Sequence, residues 1–155
     1  MRAALLVLAV ASPALGQQTC GTTASAPGFA PGQAQLADRL TVGPTVELPL
    51  RAAGEVRLVS QRRPVPGSFA GAFPLEIKAA GTYRIALSAK VWIDVVRDGA
   101  PVESTGHEHG APCSGVTKIV AFRLDAGRYT VQLSEGASRS VTAKVTREAA
   151  LPAGK

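Results

Sequence analysis

From Val42 onward, apolar and polar positions alternate with period two along most of the chain, which predicts strands rather than helices. The alternation is cleanest near the C-terminal end. One face carries Tyr129, Val131 and Leu133, then Val141, Ala143 and Val145; the other carries Arg128, Thr130 and Gln132, then Thr142, Lys144 and Thr146. Residues 128–134 and 140–147 are therefore expected to be strands with one buried side. The same reasoning places strands at 45–51, 55–61, 72–78, 82–88, 90–97, 101–104 and 117–124. Pro49 suggests an edge position for the first of these, because proline donates nothing to a ladder. Residues 90–97 are apolar on both faces, which fits a central strand. Asp98-Gly99 then predicts a tight hairpin turn. Residues 33–40 have the pattern of a short helix, and 61–71 and 105–115 read as loops.

One motif occurs twice. Ala80-Gly81-Thr82-Tyr83 and Ala126-Gly127-Arg128-Tyr129 each place a glycine turn before a strand whose Tyr, Ile or Val, and Leu share a face. Gly81, Tyr83, Gly127 and Tyr129 are read as structural, each tyrosine a core residue with its hydroxyl bonded across a corner. About nine short strands with frequent turn signals predict an all-β fold: a single antiparallel β-sandwich, jelly-roll-like.

The N-terminus changes the picture of where this domain works. Arg2, the apolar run 3–11 and the Ser12-Pro13 break have the layout of a secretory signal peptide, with cleavage expected after Gly16. The apolar run is too short to span a bilayer. The expected organisation is a signal peptide at 1–16, a flexible lead-in at 17–41, the sandwich at 42–147 and a disordered tail at 148–155. A periplasmic or secreted, monomeric protein follows, without a membrane span.

Of 17 Lys and Arg, processing removes Arg2, leaving an excess over 11 Asp and Glu. Export argues against nucleic acid as the partner of that charge. It leaves an envelope component or polysaccharide, or simply solvated strand faces. The two cysteines, Cys20 and Cys113, are an even pair in an oxidising compartment and are expected to form one disulfide. The loop it closes is long enough for the chain-entropy model to assign about 4–5 kcal/mol.

The doubled Ala-Gly-x-Tyr motif, with the intervening Asp-bearing strand and turn, resembles the bacterial pre-peptidase C-terminal domain over roughly residues 72–147. That resemblance implies a small secreted β-sandwich; here no peptidase accompanies it. The segments 92–99 and 107–115 also resemble a group of short exported proteobacterial proteins often named homogentisate 1,2-dioxygenase. Enzymes of that name are several times longer and hold ferrous iron by two His and one Glu. The name would point to His107, Glu108 and His109. Three adjacent residues on an extended strand cannot all face one ion.

His107 and His109 are nonetheless the segment with the composition of a site. In an extended backbone they project to the same side and could share Zn, Cu or Fe, with Glu108 or a reduced Cys113 as a further ligand. The competing reading is a solvated loop anchored by the Cys113 disulfide. Trp92 and Asp94 are candidate ligand contacts, one as a sugar-stacking ring and the other as a carboxylate inside an apolar strand. Core packing of Trp92, and for Asp94 a rim position or a hydrogen bond to backbone or an arginine, are the alternatives. No Ser/His/Asp context, phosphate-binding glycine loop or paired catalytic carboxylate occurs. The leading expectation is thus a non-catalytic binding or structural module of the bacterial envelope, with no cofactor. A small periplasmic metal-binding protein is the alternative, and a metal-dependent dioxygenase the third reading.

Overall fold

The computed structural model describes residue 29 and residues 34–59 and 65–149. The segment expected to be a signal peptide, Cys20 and most of the expected C-terminal tail lie outside these residues. Two sheets pack face to face. One has six strands, in the order β1 (Gln35–Leu36), β2 (Thr45–Pro49), β11 (Ser140–Arg147), β5 (Gly81–Leu87), β9 (Lys118–Leu124) and β8 (Ser104–Glu108). The other has five: β3 (Arg51–Ala52), β4 (Phe69–Ile77), β10 (Gly127–Gly136), β6 (Trp92–Arg97) and β7 (Ala100–Val102). All neighbours are antiparallel except β1 and β2. The protein is an all-β sandwich.

The period-two pattern explains the core. Tyr83, Ile85 and Leu87 of β5, with Val141, Ala143 and Val145 of β11 beside them in the same sheet, share one buried cluster with Val131 and Leu133 of β10 and Val95 of β6 in the other sheet. The two Ala-Gly-x-Tyr motifs sit where the chain crosses between sheets, at β4 to β5 and at β9 to β10. The crossings interlock: Gly81 pairs with Leu124, ahead of the second turn, and Gly127 pairs with Ile77, ahead of the first. Tyr83 donates its hydroxyl to the Ala79 carbonyl at 2.7 Å, and Tyr129 donates to the Asp125 carbonyl at 3.0 Å. Each bond reaches back four residues and locks its corner, as the repeat predicts.

The glycines have a second role that the motif does not reveal. A Cβ on Gly81 would lie 2.7 Å from Arg147 Nε, and one on Gly127 would lie 3.3 Å from an Arg97 nitrogen. Each corner thus leaves room for a guanidinium from the neighbouring strand. Arg147 donates to the Ala80 carbonyl, and Arg97 donates to the Tyr129 hydroxyl at 3.1 Å. Tyr83→Phe is expected to cost about 0.5–1.5 kcal/mol, the net worth of one hydrogen bond, and Tyr129→Phe more, because its hydroxyl also accepts from Arg97. Urea denaturation of the single and double variants checks this, and near-additive losses are expected because the corners share no partner.

Several expectations are corrected. Residues 34–41 belong to the sandwich rather than to a lead-in, and residues 35–40 form no helix. Eight residues are too few to hold a helix alone. Backbone pairing wins instead: Ala37 donates to the Glu47 carbonyl and Leu40 to the Pro74 carbonyl, burying Leu40 to 2 % exposure. Strand β2 is not an edge along its whole length, because β1 pairs with Val46 and Glu47, while Pro49 lies past that cover. Residues 53–55 form a 3-10 turn, and 56–59 are irregular rather than a strand. There the Val59 N–H is satisfied by the buried Gln132 side chain at 3.0 Å. The Asp98-Gly99 turn is as expected, with φ of 50° and 79° in the pattern of a primed hairpin turn. With the two-residue β1 and β3 and with β8, the described residues hold eleven strands.

Candidate functional site

The last correction places the site. Residues 105–108, expected within a loop, belong with Ser104 to β8, an edge of the six-stranded sheet. Its sequence, Ser-Thr-Gly-His-Glu, is polar throughout and shows no alternation, so only its pairing with β9 marks it as a strand. Across the sandwich, β7 pairs with β6 over Val95–Arg97 only. Trp92, Ile93 and Asp94 therefore have a ladder partner, β10, on one side alone. The two sheets part between these edges, and two depressions open there.

The larger has a volume of about 430 Å³ and is lined by Trp92, His107, His109, Lys90 and Lys118, among others. The smaller, about 240 Å³, is lined by Asp94, Glu103, Ser104 and Phe122. Trp92, His107 and Lys118 border both. The fold thus gathers five residues singled out from sequence, Trp92, Asp94, His107, Glu108 and His109, around these two depressions.

Trp92 is half-buried and held on two sides. Its Nε1 donates to Asp94 Oδ1 at 3.1 Å, so the partner of that carboxylate is the indole rather than backbone or an arginine. The Lys118 ammonium lies 5.3 Å from the centre of the indole and donates to the Val91 carbonyl at 3.1 Å. A cation over an indole face is worth about 0.5–2 kcal/mol, more when desolvated. The ring is therefore a fixed wall rather than a free paddle.

The histidine strand divides its residues. His107 sits opposite Val120 and Glu108 opposite Ile119, so successive side chains leave opposite faces of β8. The Glu108 carboxylate accepts a hydrogen bond from the guanidinium of Arg84, which also lies 3.8 Å from Glu148. His109 Nδ1 is 3.3 Å from the Thr117 carbonyl. A carbonyl only accepts, so the ring nitrogen is the donor in this contact. Among the described residues, no three His, Cys, Asp or Glu side chains gather as metal ligands do.

Beside the cleft, Cys113 is exposed, adopts a left-handed φ of 63°, and is not a free thiol. Its expected partner, Cys20, lies outside the described residues. The lead-in does reach this loop, where the Phe29 N–H donates to the carbonyl of buried Ser114 at 3.0 Å. On the opposite wall, β10 breaks register between Leu133 and Gly136, and Glu135, at φ 59°, lines the larger depression. Bulges of this kind re-aim side chains beside sites.

Sequence reasoning missed Lys118, although a signal existed. Lys118, Val120, Phe122 and Leu124 share one face of β9, so a lysine heads the inward set. Lys90 and Glu135 carry no such mark and are brought in by the fold alone. No family model matches the chain, and no curated protein matches it.

Proposed function

We propose that this chain is an exported, non-catalytic binding module of the bacterial envelope, and that the cleft at the open edge of the sandwich receives its ligand. One observation carries the reading: Trp92, His107, His109 and Lys118 meet on a single depression of about 430 Å³. That volume lies within the range of roughly 300–1,000 Å³ that ligand sites occupy. The wall has an apolar body and a few placed polar groups, the composition such sites share. Export rests on the signal-peptide pattern of residues 1–16. In an oxidising compartment, a disulfide between Cys20 and Cys113 would clamp the lead-in beside the cleft, where Phe29 already docks.

A metal-binding reading keeps His107 and His109, which line the same cleft. It requires further donors from water or from outside the described residues. The two readings separate in one experiment on protein recovered from the periplasm. Elemental analysis of the wild type and of His107→Ala/His109→Ala is expected to give no stoichiometric Zn, Cu or Fe in either. Retention on insoluble envelope polysaccharide is expected for the wild type and is expected to fall in Trp92→Ala. Stoichiometric metal that disappears in the double variant would replace the module reading with the metal reading.

A further inference from the structure

We infer that the cleft binds a glycan in which acidic and neutral sugars alternate, with a carboxylate-bearing ring in the larger depression and a hydroxyl-rich ring in the smaller. The inference rests on the binding-module reading above and names the ligand class of that same site.

The argument starts from charge. The larger depression carries Lys90, Lys118 and both histidines. Its carboxylates are Glu108, which is paired with Arg84, and Glu135. The smaller depression contributes Asp94 and Glu103. One groove therefore runs from a basic to an acidic end, with the Lys118 ammonium at the junction. The Val91 carbonyl and the indole hold that ammonium in place, so presenting it costs little side-chain entropy.

Each end selects a partner. Ammonium groups donate to a carboxylate through charge-assisted hydrogen bonds. Carboxylates accept from neighbouring hydroxyls, which sugars supply in pairs. Asp94 Oδ1 is occupied by the Trp92 N–H, and Asp94 Oδ2 and Glu103 remain as acceptors. A polyanion charged on every unit, whether a uronate homopolymer or a nucleic acid, would set a negative group against Asp94 and Glu103. A phosphate-rich lipid surface would do the same. Size agrees: about 240 Å³ is small for a separate site, but it adjoins the larger depression across Trp92, His107 and Lys118. Two linked rings span the pair.

The chain contains one tryptophan, so intrinsic fluorescence reports on the site without a label. The probes are a hyaluronan hexasaccharide (alternating glucuronate and N-acetylglucosamine), a hexagalacturonate charged on every ring, and neutral chitohexaose. Co-sedimentation with phosphatidylglycerol/phosphatidylcholine vesicles tests the membrane. Saturable quenching by the hyaluronan hexasaccharide is expected, about tenfold tighter than by either other sugar. Lys90→Gln and Lys118→Gln are each expected to weaken it about tenfold, and Glu103→Gln to improve hexagalacturonate binding. Lys90 is exposed and its variant tests the idea even if Lys118→Gln fails to fold. Equal binding of chitohexaose, or lysine variants that bind as the wild type does, would overturn the acidic-glycan assignment and leave the module reading standing. Vesicle binding without sugar binding would replace the glycan with a membrane surface. No quenching by any sugar, together with no retention on envelope material, would remove both readings.

Discussion

Phe122→Ala is expected to cost about 3–5 kcal/mol, a large share of the roughly 5–15 kcal/mol that holds a domain of this size together. Phe122 is 1 % exposed and is the bulkiest of the fully buried side chains among the described residues. It lies on the inner face of β9, paired with Tyr83 of β5 on one side and Ser104 of β8 on the other. No small neighbour is free to collapse into the space, because Val120 and Leu124 flank it in the same cluster. The transfer of the ring and the cavity left behind both count against the variant. Phe122 also lines the smaller depression, so the truncation deepens that end of the groove. Urea unfolding should show a lower midpoint with an unchanged slope. A loss below about 1 kcal/mol would mean that this part of the core is not packed as described.

That β9 reads so plainly in the sequence, while its neighbour β8 does not, shows where the pattern stops being informative. Strands buried on one face and wet on the other must alternate, and Lys118–Leu124 and Ser140–Arg147 do so, as does Gly127–Gly136 apart from the buried Gln132, which was expected on the outward face. Turns that need special backbone angles must use the residues that supply them, and Asp98-Gly99 does. Strand β8 has neither constraint. An edge strand of Ser, Thr, Gly, His and Glu is held by its ladder to β9, and that pairing is invisible to periodicity. Leu40 is the same case in another form, a single apolar residue buried by a bridge to Leu75 rather than by any local element.

The site followed the same division. Trp92, Asp94, His107 and His109 stand out by type, because their side chains can carry chemistry wherever they lie. Their convergence comes from the part of β6 that β7 leaves uncovered and the edge strand β8 lying on different sheets that pack together, a property of topology alone. Lys118 and Glu135 join them through strand parity and through a break in register, respectively. The Glu108–Arg84 pair likewise required the strand order, since β9 lies between the strands that carry them.

Gly110→Ala and Gly106→Ala should behave oppositely although the positions are four residues apart. A Cβ on Gly110 would lie 2.1 Å from the Val116 carbonyl oxygen and 2.6 Å from Val116 Cβ. The obstruction is backbone, and that backbone has little freedom to move. The Val116 N–H bonds the Ser114 hydroxyl, and the next residue, Thr117, bonds the Leu87 carbonyl through its N–H and the Ser88 carbonyl through its hydroxyl. Relief must come from lifting the 110–116 loop, at a cost of about 1–3 kcal/mol, as overpacking does elsewhere. His109 and Thr117 flank that loop and line the cleft, so ligand affinity should fall with stability. A Cβ on Gly106 meets only Ala121 Cβ, at 3.8 Å, an ordinary contact. That variant should stay within about 0.5 kcal/mol of the wild type or gain slightly from a less flexible unfolded chain. Paired urea melts and Trp92 fluorescence titrations of the two variants distinguish the outcomes. If Gly110→Ala melts and binds like Gly106→Ala, the loop is not seated on Val116, and the cleft loses the wall that fixes His109 beside it.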